Sequence, residues 1–350
     1  MESGIVKGRG SQYNAKNPFS RQHLSTEVED GLDVHQLPKP TIRFFLERPK
    51  QIVSKSESPD LGIMHSINPY QGCEHGCVYC YARNSHNYWG FSSGLDFESR
   101  IIVKKDAPQM LEQYLSKYQG EVTPIVLSGN TDCYQPAERK YRLTRNLLKV
   151  FYKYRYPVSL ISKNSLMLRD LDILVPLARE QLVQVFVSIT TLDESIRSKM
   201  EPRTATAAKR LKLIGELSQH DIPVGVMNAP IIPGLTDHET PAILKQTAAM
   251  GALSAGYTII RLNGTIAGIF EDWVKKTFPE RADKVLGQIA QCHEGQLNDS
   301  EWHRRQKGSG NLAEIISQVF NTSFKKYFGK RKMPVQNKGK FRRKGNYQLF

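Results

Sequence analysis

Three cysteines fall within eight residues of this chain, in the stretch Cys73-Glu74-His75-Gly76-Cys77-Val78-Tyr79-Cys80. The gaps between them are three residues and then two. Thiolates spaced this way converge only where the backbone curls around a common centre, so the stretch reads as a loop wrapped on metal. A mononuclear zinc site asks for a fourth ligand and usually shows paired two-residue knuckles. Here His75 or His86 would have to complete it. A cubane iron–sulfur cluster with one open iron needs only three thiolates, which suits the spacing better.

The loop needs elements that hold it. An apolar-rich segment at 62–68 reads as a strand, and its exit through Pro69-Tyr70 leads directly into the cysteines. Chemistry at the C-terminal end of a parallel strand is the arrangement of an α/β barrel. Further strands are expected at 101–103, 124–127, 158–161, 183–189, 224–227 and 257–262. Helices are expected between them at 107–118, 138–154, 171–180, 207–220 and 240–250. Such alternation means parallel pairing with crossovers, in about six units. Beyond about residue 266 it stops, and Phe270, Trp273, Val274 and Phe278 suggest an amphipathic helix, with another at 312–320.

The composition sets outer limits. At 350 residues and 39% apolar content, the chain is long enough for one barrel with extensions. No run of about 18 apolar residues is present, so no membrane span is expected. The opening Met1-Glu2-Ser3-Gly4 lacks a secretory pattern. Five cysteines, three of them clustered, argue against a disulfide framework and for the reducing cytoplasm. Cys292-His293 is a neighbouring pair, too little for a metal site. Residues 1–60 form an N-terminal extension, either a disordered leader or a strap over the core.

The C-terminal end is basic. Ten Lys and Arg and no Asp or Glu lie in 315–350, supplying +10 of the formal +15. We expect a helical extension over 266–321 and a disordered, basic tail over 322–350. Such a block is ordinarily solvated. It can also hold a nucleic acid by counterion release, with Phe324, Tyr327, Phe341 and Tyr347 interleaved for stacking. The terminal Gln348-Leu349-Phe350 loosely resembles peptides that dock on the bacterial DNA sliding clamp. The full clamp pattern is absent, and a frayed terminus of chance composition explains it more simply.

With Tyr79 before the third cysteine, the motif resembles the signature of the radical S-adenosylmethionine (SAM) superfamily. The resemblance implies a partial (β/α)6 TIM barrel over 61–265. It also implies a [4Fe–4S] cluster on Cys73, Cys77 and Cys80, with SAM chelating the open iron. Reduction by a flavodoxin- or ferredoxin-type donor would split SAM and yield a 5′-deoxyadenosyl radical that abstracts hydrogen from a substrate. The run Ser128-Gly129-Asn130-Thr131-Asp132-Cys133-Tyr134-Gln135-Pro136 lacks the usual Gly-Gly-Glu-Pro. It is similar to the spore photoproduct lyase-like branch, and to a bacterial subgroup within it.

On that resemblance, SAM contacts are expected from Tyr79, Asn130, Thr131, Asp132, Lys163 and Ser188. The plainer readings are a turn, a solvated lysine and a strand hydroxyl. Glu201 and Arg203 flank Pro202 and could line the substrate pocket or form a rim salt bridge. The stretch 228–234 resembles the wall on which related enzymes pack adenine. Cys133 stands in the loop where the lyase keeps a hydrogen-donating cysteine, but on the other side of the Asp. It is a candidate donor, or simply a small half-buried residue. Nucleic acid is the leading substrate expectation. The alternatives are a protein or small-molecule substrate, or a non-catalytic iron–sulfur or zinc module that binds nucleic acid.

Overall fold

The computed structural model describes residues 6–19, 41–60, 62 and 65–343. Its strands are β1 (Arg43–Leu46), β2 (Ser54–Lys55), β3 (His65–Ile67), β4 (Tyr70–Gln71), β5 (Arg100–Val103), β6 (Ile125–Leu127), β7 (Val158–Ser162), β8 (Val183–Ser188), β9 (Val224–Ile231) and β10 (Ser254–Ile259). Six of them, in the order β10-β9-β8-β7-β6-β3, pair in parallel and form the partial barrel. β2 adds antiparallel to β3 at the edge. The fold is therefore mixed α/β, with the parallel sheet expected of a (β/α)6 core.

The strand sequences explain their depth. Val158, Leu160, Val183, Val185, Val187, Val224 and Val226 are essentially inaccessible, as β-branched and apolar residues should be in strands covered by crossover helices. Those helices are Ala107–Lys117, Leu143–Tyr154, Leu171–Arg179, Ala207–Gln219 and Thr240–Ala249. Two departures from the sequence reading stand out. The segment 101–103 is a strand but not a barrel stave: β5 pairs with β1 and β4 in a separate three-stranded sheet. The helix expected over 138–154 breaks at Arg142, whose φ of 52° is left-handed.

Both extensions are folded where they are described. Residues 6–19 lie across the cysteine loop as a strap: the backbone N–H groups of Gly10 and Ser11 donate to the Glu98 carboxylate. The Asn17 amide donates to the carbonyls of Asn87 and Phe91. At the other end, the helix Gly310–Phe328 packs against Thr240–Ala249, and Phe320 meets Tyr257 at 4.4 Å between ring centroids.

Residues 329–343, expected to open a disordered tail, instead run across the barrel floor. Arg331 donates to the carbonyls of Ala248 and Ala252. The buried Gln336 amide donates to the Val158 and Leu182 carbonyls at 2.8 and 3.2 Å. Phe341 packs on Tyr156. Lys338 and Lys340 approach Glu121 and Glu180. The segment has no apolar periodicity because its anchors are hydrogen bonds to backbone groups exposed at strand starts. The clamp-like residues 348–350 lie outside the described residues. No helix among the described residues is long and apolar enough to cross a membrane.

Replacing Gln336 by Ala strands acceptors on the barrel floor. We expect a loss of about 1–3 kcal/mol in unfolding free energy, read from urea denaturation.

Candidate metal centre and cofactor rim

The cysteine loop leaves β4 and has no ladder of its own, so its backbone groups are satisfied from elsewhere. The Cys73 N–H donates to the Phe97 carbonyl at 2.8 Å, and the Val78 N–H to the Met200 carbonyl at 3.1 Å. Cys73 and Cys77 are buried, Cys80 half-buried, and none is in a disulfide. Burial pushes all three thiols up from their ordinary range. Gly76 has φ 69°, and a Cβ there would sit 2.8 Å from Glu98 Oε2. A Cβ on Gly10 would lie 1.8 Å from the Gly76 carbonyl oxygen. Glycine at both positions is what lets the strap lie directly on the loop.

Three buried carboxylates hold this loop. Glu98 accepts from the fully buried Arg83, whose Nε also donates to the Cys77 carbonyl at 2.9 Å. Asp132 accepts from Ser162 Oγ, the Tyr134 N–H and the Lys163 N–H, each at 2.8 Å, and faces His75 Nδ1 at 3.3 Å. Burial alone raises the Asp132 carboxyl, but the facing His75 and these hydrogen bonds outweigh it and hold it at about 2. Glu201 accepts from Tyr79 Oη, from Thr190 and from buried Arg210. Burial again raises this carboxyl, and Arg210 and Lys163, with the Tyr79 hydrogen bond, bring it down to about 2. The aromatic residue of the motif is thus anchored by a buried ion pair.

The expected rim residues divide into two groups. Thr131 and Asp132 are committed to the protein: Thr131 Oγ1 donates to the Tyr70 carbonyl, and both Asp132 oxygens are engaged. The structure makes Asp132 a clamp between His75 and the exits of β6 and β7. Lys163 is different. Its ammonium lies 5.8 Å from the Tyr79 ring centroid and has no carboxylate partner among the described residues. Asn130 is half-buried, its amide near Ser85 Oγ. Ser188 closes β8, with its carbonyl accepting from Arg210.

Other expectations are revised. Cys133 is fully inaccessible within the main apolar core, its backbone held by Ser128 and Thr144. This is deeper than the half-buried position expected from the sequence. Glu201 pairs with Arg210 and not with Arg203, whose backbone N–H donates to the His75 carbonyl. β9 runs on to Ile231, and Asn228 is tied to Ile189 and Thr240. Both His75 nitrogens face partners, Asp132 and Asn164, whereas the buried His86 packs against Phe91 and Phe97 with neither ring nitrogen hydrogen-bonded among the described residues. Among the described residues no His, Cys, Asp and Glu side chains gather closely enough for a single ion.

Beneath the rim is a cavity of about 460 Å³, lined by Val126, Ile161, Phe186 and Met227 with the polar Ser159 and Gln184. Ser159 and Ile161 share the strand face of Lys163, and Gln184 and Phe186 that of Ser188, because successive strand side chains alternate. Thr123, Pro124, Gln336 and Lys338 line its other end, at the barrel floor.

Residues 67–247 match the family model of the Radical SAM superfamily. The chain belongs to that superfamily. Members bind a [4Fe–4S] cluster and SAM and need a reductant. This radical SAM protein is 32% identical over 222 residues to an uncharacterized protein of Mycobacterium tuberculosis, covering 63% of this chain. The match spans 65% of the mycobacterial protein, just under two thirds of its length. An uncharacterized protein of Methanocaldococcus jannaschii is 27% identical over 65% of this chain and 82% of its own. A radical SAM Nα-GlyT isomerase of Pseudomonas phage M6 is 25% identical over 52% of this chain and 36% of its own. Among solved structures, spore photoproduct lyase complexed with dinucleoside spore photoproduct aligns with a TM-score of 0.59. That alignment covers 82% of this chain and 80% of the lyase at 12% identity, a likeness of fold.

The donor set of this radical SAM protein fits the cluster. It offers three unbridged thiols in one loop, the ligand number that a cluster with one open iron requires. The revised roles of Asp132 and Lys163 separate two outcomes. Asp132→Ala releases His75 and the β7 exit together, so anaerobically purified protein should lose iron as well as SAM binding. Lys163→Ala should keep its iron and bind SAM more weakly by about 1.5–3 kcal/mol. Iron assay and equilibrium dialysis read both. Full iron in Asp132→Ala would contradict the clamp.

Proposed function

We propose that this radical SAM protein is an enzyme that cleaves SAM reductively at the rim and removes a hydrogen atom from a nucleic-acid substrate. The observation that supports the first half is the conjunction of three unbridged thiols and the unpaired Lys163 ammonium, placed above a cavity on the same strand faces. Cys73, Cys77 and Cys80 would hold the cluster. Lys163 would meet the SAM carboxylate, with Tyr79, Asn130 and Ser188 as further contacts. When bound, these groups supply one electron and, from SAM, a carbon radical able to attack an unactivated C–H bond.

The protein's own contribution is position and exclusion. The Tyr79–Glu201–Arg210 anchor sets the floor of the cluster loop, and the strap covers its outer side against water. The cavity walls hold the substrate hydrogen within reach, where orientation accounts for much of the rate. The electron would come from a flavodoxin- or ferredoxin-type donor. The net charge of +15 favours a polyanionic substrate, and a member of this fold has been solved with a dinucleoside.

Anaerobic incubation of the reconstituted protein with reductant and SAM should yield 5′-deoxyadenosine, and Cys77→Ala should yield none. Wild-type protein holding about four irons and still yielding none would overturn the enzymatic reading. Adding nucleic acid from deuterium-grown cells should place deuterium in the 5′-deoxyadenosine. Deuterium arriving only from the protein or small-molecule fraction would overturn the choice of substrate.

A further inference from the structure

The partial barrel has an open seam between β10 and the β2–β3 edge, and the chain closes it with two segments far apart in sequence. Residues 297–307 cover the free edge of β10: Ile259 N–H donates to the Gln306 carbonyl, and Leu262 N–H to the Leu297 carbonyl. From the other side comes Asp60, which accepts from Arg305 Nε at 2.5 Å and from the His303 N–H at 2.6 Å. Arg305 also donates to Ser58 Oγ. At the top of this seam, just past β10, stands Arg261.

Arg261 is a half-buried guanidinium, and among the described residues no acceptor lies within bonding distance of it. The carboxylates whose charge reaches it are taken: Asp60 by Arg305 and His303, and Asp299 by Arg304 and the Glu301 N–H. Arg305, a second cation, is close enough to oppose it. Burial and this like charge both push Arg261 below its ordinary value. Among the described residues, then, no carboxylate is left over to pair with this guanidinium.

Two exposed rings indicate which kind of anion would suit it. Tyr81 directly follows the last cysteine, is 51% exposed, and is pinned by a hydrogen bond from its hydroxyl to the Gly129 carbonyl at 2.7 Å. Trp302 is equally exposed and carries on its ring, 4.0 Å from the centroid, the guanidinium of Arg305, the cation whose charge reaches Arg261. Fixed π faces beside a forked cation match the sugar–phosphate and base pattern of a single strand. A lone carboxylate would leave both rings unused.

We propose that the seam between Tyr81, Arg261 and Trp302 binds a single-stranded polynucleotide, with Arg261 on a phosphodiester and the two aromatic rings against bases. A strand held there lies beside the cysteine loop, because Tyr81 directly follows Cys80. The assignment rests on the nucleic-acid reading above and names the residues that receive the strand.

The test uses the reconstituted holoprotein and fluorescein-labelled mixed-sequence single strands of about twelve nucleotides, DNA in one arm and RNA in the other. Anisotropy titrations over a range of salt give affinity and salt slope. We expect wild-type protein to bind at least one of the two. Arg261→Gln should weaken that binding about tenfold and reduce the slope by about 0.7. Arg261→Lys should keep the slope while losing part of the affinity, and Trp302→Ala should weaken binding roughly fivefold or more. Lys275→Gln, on a distant ion-paired helix position, serves as the charge control. Should Arg261→Gln lose its iron, Arg261→Lys and Trp302→Ala carry the comparison. If wild-type protein binds neither strand, the nucleic-acid reading falls and the seam with it. Binding that survives unchanged in the Arg261 and Trp302 variants overturns the seam alone. So does a weaker SAM affinity in Arg261→Gln with strand binding untouched, because the guanidinium then serves the cofactor.

Discussion

A loop that must turn three thiols towards one point cannot satisfy its own backbone, and this constraint shapes the rest of the molecule. The neighbours that hold it use buried carboxylates, which are costly unless each is paired and fully hydrogen-bonded. Glu98 meets Arg83, Asp132 faces His75, and Glu201 meets Arg210. Each carboxylate or its partner then reaches a piece of the cysteine loop: the Cys77 carbonyl, the His75 ring or the Tyr79 hydroxyl. Removing one partner leaves a stranded charge, so the three clamps are expected to fail as units. The geometry of the cluster site is thereby tied to the exits of β6 and β7 and to the segment that follows β8.

The two extensions complete this arrangement from opposite ends. The strap can approach the loop only because Gly10 and Gly76 lack side chains at their point of contact. At the other end, the C-terminal segment closes the barrel floor with backbone-directed hydrogen bonds, of which the Gln336 amide makes two. This placement changes the meaning of the basic charge. Lys338 and Lys340 lie near Glu121 and Glu180 and Arg331 caps carbonyls, so these cations are partly occupied with the chain itself. Nearer the rim, Lys163 and Arg261 are two half-buried cations without a carboxylate partner among the described residues.

Much of the fold was legible because periodicity is local. Alternating apolar runs and helices mark six parallel staves, and the boundaries of four of the five crossover helices fall within one residue of expectation, the fifth being broken at Arg142. The failures are equally instructive. β5 has the composition of a buried stave, but its partners are β1 and β4, and composition does not name a partner. The floor segment 329–343 carries no apolar pattern at all, because it is held by single hydrogen bonds to strand ends that are distant in sequence.

By itself, the sequence marked the candidate metal loop: three cysteines at gaps of three and two residues, with Tyr79 before the third, carry the superfamily's signature. It also determined the parallel barrel, since side-chain period and crossover length are properties of short windows. Which polar residues are free and which are committed was decided only by the tertiary structure. Asp132, Lys163 and Arg261 are equally conspicuous as letters. Folding engages both oxygens of the first from several directions, while among the described residues neither cation has an acceptor within bonding distance. That difference depends on contacts across tens to hundreds of residues, His75 to Asp132 and Tyr79 to Glu201 among them. Such contacts are set by packing, and no local pattern encodes them.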